Sequence, residues 1–255
     1  MKAYFHARQY LPFARMQEMF NDVFHIDIGQ GGLHCLLNRF ADKTTPVYEL
    51  IKQRVSQSEV IGADETGAKV NGKKHWIWTW QNEKCTYIVH SDNRGGRTIE
   101  TNFPEGFPKS ILVHDGWRAQ INTQAKAHQT CLPHLLRRLN YLNEKYKNKK
   151  WSVKFQTLLY DAMKLSGNMN LNDYHHCVER TKIILRLQKL IENPPDKELK
   201  ELYTFYKRMV REHQYLFTFL FNSNVPADNN GSERAIRNVN LKSARDFVMK
   251  SQNVH

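Results

Sequence analysis

Three acidic residues stand where the chain could use them together. Asp64 closes the short apolar run Val60-Ile61-Gly62-Ala63, Asp115 closes Ser110-Ile111-Leu112-Val113-His114, and Glu233 follows Asn229-Asn230-Gly231-Ser232. Apolar runs of this length read as buried strands, and sites in open α/β sheets gather at the carboxyl ends of strands. Asn229, Asn230 and Ser232 are N-cap residue types, so Glu233 is expected in a first helical turn. Three carboxylates around one point repel each other unless a cation lies between them. Hard oxygen donors suit Mg2+ or Mn2+, which keep positions open for phosphate oxygens. Two such ions about 3.5–4 Å apart can serve both sides of an in-line displacement at phosphorus. One lowers the pKa of the attacking water or 3′-hydroxyl, and the other stabilises the leaving oxygen. Spacing alone does not separate this from an ordinary turn at Asp115-Gly116.

Other residues around these acids have open roles. Asn229 and Asn230 either hydrogen-bond around the acids or only cap the helix. Arg234 and Arg237 carry planar forks suited to phosphate, and Arg237, one turn beyond Glu233, is equally placed to pair with it. Cys131 and His134 have ligand types at half-site spacing, with His175, His176 and Cys177 as further donors. A zinc site, a buried structural pair, and a His134 that supports the acids or touches phosphate all fit that spacing. Trp76, Trp78 and Trp80 alternate, which gives one aromatic sheet face for core packing or for stacking on unpaired bases. Lys69, Lys73, Lys74, Arg94 and Arg97 flank the predicted strands, as solvated surface or as the lining of a DNA channel.

The elements that must position these residues can be read from periodicity. Phe13, Met16, Phe20, Val23 and Phe24 recur at helical spacing, Ile28-Gly29-Gln30-Gly31-Gly32 reads as a break, and Leu33, Leu36, Leu37 and Phe40 resume the helix. Two helices about a short turn allow either a helix-turn-helix or a plain hairpin. The runs at 60–63, 74–80 and 86–90, separated by Asn71-Gly72 and Gln81-Asn82-Glu83, predict a three-strand antiparallel meander. A short helix, the strand ending at Asp115, and a further helix and strand then lead to Cys131-Leu132-Pro133-His134. This is α/β, a mixed sheet with crossovers. From Leu135 to Phe221 the pattern is helical. The expected division is a helical segment over 1–58, a core over 59–135 and 225–255, and a helical insertion over 136–224.

Charge narrows the partners. Lys and Arg number 38 against 25 Asp and Glu, a formal net charge of +13. Between Leu136 and Asn224 there are 17 basic and 9 acidic residues. Such a surface attracts polyanions, nucleic acid first. No apolar run is long enough to span a membrane and no secretion signal is evident, so no membrane partner is expected. The four cysteines form no CxxC pair and read as reduced thiols, mostly in the core.

Several blocks resemble the insertion sequence 66 type of bacterial transposases. ADETGAKVNGKKHWIW is similar to the family's first-aspartate block, ILVHDGW to its second, CLPH to its Cys-x-x-His block and VPADNNGSERAIR to its glutamate block. Pro133 departs from the small or aromatic residue usual in the family. The blocks occur in family order, with the helical insertion before the glutamate. The resemblance implies a ribonuclease-H-like catalytic region with a mixed five-stranded sheet. It implies that Asp64, Asp115 and Glu233 bind metal, with Mg2+ as the working ion. It implies transposon-end DNA as substrate, cleavage and strand transfer as the reaction, and homo-oligomeric assembly on DNA in the cytoplasm, at the nucleoid. The alternatives are a nuclease of the same fold that does not join strands, and a non-catalytic DNA-binding remnant. Family members are usually longer, so truncation at the N-terminus and near His255 is expected.

Overall fold

The computed structural model of the chain describes residues 1–70, 72–147, 149–166 and 173–243, with side chains as far as Arg237 in the last helix. Asn71 of the expected turn and the stretch 244–255 of the last segment lie outside the described residues.

The N-terminal part is three helices, α1 (Lys2–Ala7), α2 (Phe13–Phe24) and α3 (Gln30–Ser56). Met16 and Phe20 of α2 close on Leu33 of α3 in a small cluster of their own. α2 stops at His25, which takes the left-handed conformation with φ +49°. The break is shorter than the glycines suggest: Gly31 and Gly32 lie inside the first turn of α3. α3 continues through Pro46 to the sheet, where Val55 is buried and the Tyr48 hydroxyl donates to the Ile88 carbonyl at 2.8 Å.

The sheet begins with the expected meander, β1 (Val60–Val70), β2 (Lys73–Gln81) and β3 (Thr86–Ser91). Helix α4 (Gly96–Asn102) leads to β4 (Phe107–His114), and α5 (Arg118–Ile121) leads to β5 (Ala125–Thr130). The order across the sheet is β3-β2-β1-β4-β5. β1, β2 and β3 are antiparallel neighbours, whereas β4 runs parallel to both β1 and β5. This mixed five-stranded sheet with flanking helices is consistent with the ribonuclease-H-like fold that the resemblance implies.

β1 and β4 share three register pairs, from Val60↔Ile111 to Gly62↔Val113. Beyond Gly62, β1 continues against β2 alone as far as Val70. Asp64 therefore sits inside β1, where β4 has stopped beside it, and not at the strand end read from the apolar run. The polar stretch after Ala63 still forms strand because every residue to Val70 pairs with β2.

Both faces of the sheet are buried. On one, Ile61, Ala63, Trp78, Trp80, Tyr87 and Leu112 pack with Ile99, Phe103 and Val55. Trp78 and Trp80 are fully buried and stack on each other at 5.8 Å, so they pack the core and offer no face to unpaired bases. Each indole removes about 200 Å² from water, ~5 kcal/mol as an upper bound. On the other face, Ile111 and Val113 join helices α6 (Leu132–Lys145), α7 (Lys150–Ser166), α8 (Tyr174–Glu192) and α9 (Lys200–Glu212) in one continuous core. Two short 3-10 turns then lead to α10 (Asn230–Ser243), which packs on β1 and β2. No helix among the described residues is long and apolar enough to cross a membrane.

Candidate active site

The Asp115 turn is held from several sides. Asp115 Oδ1 accepts the Trp117 N–H at 2.8 Å, closing a turn that starts as β4 ends. Gly116 takes φ +86°, and a Cβ there would collide with the Arg208 guanidinium, so glycine answers both demands. Arg208, from α9, donates to the carbonyls of Asp115 and Gly116 at 3.4 Å and to Glu212 at 2.7 Å. The Gly116 N–H donates to His114 Nδ1 at 3.0 Å. That bond fixes His114 as the Nε2–H tautomer, which then donates to His128 Nδ1 at 3.1 Å. Burial, then the neighbouring His128 and Arg208, pushes the His114 imidazole down to about 3, so it stays neutral.

Asp64 is half-buried, and its Oδ1 accepts the Glu65 N–H at 2.9 Å. Burial and then the negative charge of Asp115 raise its carboxyl to about 6; Glu233 adds to the rise and Arg94 opposes it. Both other candidate acids thus act electrostatically on Asp64. Their oxygens are not drawn into one tight cluster: among the described residues the group whose donor atoms all lie within 4.8 Å is Cys131, His134 and Glu233.

Glu65 is a site residue that sequence reasoning missed. Alternation along β1 turns it to the tryptophan face, opposite Trp78, where its side chain is 1% exposed. Burial and then Asp115 push its carboxyl up to about 7. Arg94 Nη2 and Nε donate to Glu65 Oε1 at 3.0 and 3.2 Å, and Oε2 has no partner among the described residues. The Arg94 guanidinium also lies 3.8 Å from the Trp117 ring centroid and 4.5 Å from that of Trp76. The Trp117 indole donates to the Arg94 carbonyl at 3.1 Å. Arg94 is therefore less a channel-lining cation than a clamp, joining Glu65 on β1 to the turn that carries Asp115. Lys69, Lys73, Lys74 and Arg97 are exposed.

Glu233 reaches the site because α10 is seated closely on β1. Gly62 makes room: a Cβ there would lie 2.5 Å from Ser232 Oγ and 2.9 Å from Asn229 Oδ1. Buried Asn229 donates to the Ala63 carbonyl at 2.8 Å and accepts the Ser232 hydroxyl at 2.8 Å. The Gln81 amide, oriented to satisfy both groups, donates to the Gly231 carbonyl at 3.1 Å and accepts the Ser232 N–H at 2.8 Å. Asn229 thus ties helix to sheet, whereas Asn230 is exposed and its N–H bonds to Asp228 at 2.9 Å.

The Glu233 carboxylate lies 3.7 Å from His134 Nε2 and 3.6 Å from Arg137 Nη2. Among the described residues its arginine partner is therefore Arg137 of α6, not Arg237, which is exposed. Arg234 lines a cleft of about 940 Å³ that also includes Gln81 and Asp228. His134 Nδ1 faces Cys131 Sγ at 3.2 Å, so the imidazole spans Cys131 and Glu233. The Cys131 thiol, pushed up to about 11 chiefly by burial, is a poor nucleophile. Among the described residues, Cys131 and His134 are joined by Glu233, and not by His175, His176 and Cys177 of α8, the further donors that the zinc alternative would use. Three donors fall short of the four of a structural zinc site.

The sheet defines a mixed α/β protein consistent with the ribonuclease-H-like form, with Asp64 and Asp115 beside the parallel pair β1 and β4. The model of the Transposase IS66 family matches residues 3–252, and the chain belongs to that family. Its class is therefore that of the transposases, proteins that act on DNA. A comparison with curated proteins found no match.

Proposed function

We propose that the chain is a transposase catalytic core that cleaves DNA strands at transposon ends and transfers them, with Asp64, Asp115 and Glu233 as its metal-binding acids. The observation that carries this reading is the placement of the acids in a chain of a transposase family: Asp64 in β1 where β4 stops beside it, Asp115 in the turn that follows β4, and Glu233 in the first turn of α10, which Asn229 seats on β1. Carboxylates kept close enough to hinder one another's ionisation are a donor set that fits a hard divalent cation. Mg2+ or Mn2+ held there would activate the attacking water or 3′-hydroxyl and stabilise the leaving oxygen.

The chain's own residues prepare the acids. Gly116, His114 and Arg208 fix the Asp115 turn. Arg94 keeps Glu65 from competing as a free charge beside Asp64. Asn229 and Ser232 hold the first turn of α10 against β1. His134, with Cys131 behind it, and Arg137 hold Glu233. Asn230, Arg234 and Arg237 lie on the exposed side of α10 or its cleft, where the two arginines are free to meet phosphate. Assembly of several copies on DNA belongs to the same reading.

A joining assay tests it. The chain is incubated with Mg2+, element-end DNA carrying a free 3′-hydroxyl, and target DNA. Joined products are the expected outcome; nicking without joining would leave a nuclease of the same fold.

A further inference from the structure

A groove of about 830 Å³ lies between α7 and α8, in the helical part of the chain. Lys150 and Lys154 line it from α7, and Arg186 and Lys189 from α8. No carboxylate is among the described residues lining it. Arg186 is partly neutralised by Asp161 at 2.6 Å. Lys150 and Lys154 are four residues apart, so they project from one face of α7 about 6 Å apart along its axis. Arg186 and Lys189, three residues apart, share a face of α8 about 4.5 Å apart along its axis. The floor includes Trp151, which is 8% exposed, and its indole N–H is already spent on the Leu190 carbonyl at 3.0 Å.

Two cationic rows over a floor whose indole donor is satisfied would read a line of negative charge, not a pattern of hydrogen bonds. Duplex DNA supplies such a line along each strand, with one phosphate charge per about 3.4 Å of helix axis. An acidic peptide matches less well, because its backbone donors and acceptors would need partners, and the uncharged polar side chains of the lining, Thr157 and Asn193, already donate to the Val153 and Lys189 carbonyls. The surrounding segment, with 17 basic and 9 acidic residues, extends the positive field beyond the groove.

We propose that the α7–α8 groove is a second DNA contact, which takes the sugar–phosphate backbone of duplex DNA outside the acid site. This rests on the reading of the chain as a DNA-processing transposase, and it assigns the helical insertion a share of the binding. The contact is independent of sequence, because phosphates position a duplex without reporting its bases.

The test is anisotropy titration of the full chain with duplex DNA over a range of salt, without divalent ions. The groove variant is Lys150→Glu/Lys154→Glu/Lys189→Glu, and the control of equal charge is Lys43→Glu/Lys109→Glu/Lys197→Glu, all exposed lysines elsewhere. The groove variant should lose about 2–3 from the slope of log affinity against log salt and bind at least about tenfold more weakly at low salt. The control should keep the wild-type slope. Should the charge reversals unfold the chain, the Lys→Gln triple variant should still lower the slope by a similar amount. Equal slopes for groove and control variants would overturn the proposal. So would a change of oligomeric state in the groove variant with DNA binding intact, since the groove would then join copies of the chain. The readout needs no cleavage, so a chain that binds through the groove but never cuts DNA would count against the catalytic reading alone.

Discussion

The Asn229 side chain donates to the Ala63 carbonyl at 2.8 Å, joining residues 166 positions apart and setting the first turn of α10 against β1 next to Asp64. Asn229→Ala leaves that carbonyl and the Ser232 hydroxyl without their buried partner, at a cost of about 1–3 kcal/mol. Cleavage should fall further than stability does, because Glu233 moves with the helix. Urea unfolding and strand cleavage measured on one preparation would separate the two effects. Equal activity at reduced stability would mean that this seat does not position Glu233.

Gly116→Ala should be severe. The substitution forces a side chain into φ +86° and drives a methyl group into the Arg208 guanidinium. Strain of this kind costs about 1–3 kcal/mol. Arg208→Ala removes the collision and leaves the backbone strain, so in thermal unfolding Gly116→Ala should cost less in the Arg208→Ala background than in the wild type, recovering part of its penalty even though Glu212 loses a partner. No recovery would show that the collision contributes nothing.

Arg94→Ala strands the buried Glu65 carboxylate, whereas Glu65→Gln removes the charge. Losing one partner of a buried pair costs ~3–5 kcal/mol, and the partly exposed Arg94 places this case at about 2–3 kcal/mol. Glu65→Gln should cost less. Adding it to Arg94→Ala should restore stability, which chemical denaturation of the four chains in a double-mutant cycle would measure.

The pair of buried histidines gives an acid-dependent signature. His114 is pushed down to about 3 and His128 is lowered as well, both chiefly by burial. Below the ordinary value of 6.5 the unfolded chain takes up protons that the folded chain refuses. The contribution of His114 is therefore full above pH 6.5 and is lost as pH falls toward 3, by up to about 1.4 kcal/mol per pH unit, and the lowered His128 acts in the same direction. Asp64 and Glu65, raised to about 6 and 7, act in the opposite sense: their stabilisation is present at low pH and lost as pH rises through those values. The clean measurement is a difference. Between pH 6.5 and 4.5, stability of His128→Gln should fall less steeply than that of the wild type; parallel curves would exclude a protonation role for His128.

Local pattern made much of this legible. The alternating tryptophans fixed β2 and its buried face, and the Asn-Asn-Gly-Ser run anticipated the α10 start that places Glu233 in a first turn. The length of β1 was hidden because its pairing with β2 carries a polar stretch through Val70. Glu65 drew no notice in the sequence, since nothing local reveals that Arg94, 29 residues on, pairs with it in the core. Arg208 was invisible for the same reason, being 92 residues from the Gly116 carbonyl it meets. Arg137 was overshadowed by Arg237: helical spacing offered an intrahelical partner for Glu233, and tertiary packing supplied one from α6 instead.

The most direct measurement of the central claim is Mg2+-dependent cleavage of element-end DNA by the wild-type chain and by Asp115→Ala. The wild type should nick the end only when the divalent ion is present. Asp115→Ala should lose at least about a thousandfold in rate, equivalent to about 4 kcal/mol of transition-state stabilisation, while binding DNA with the same salt slope. Equal cleavage by the two chains would contradict the assignment of these acids.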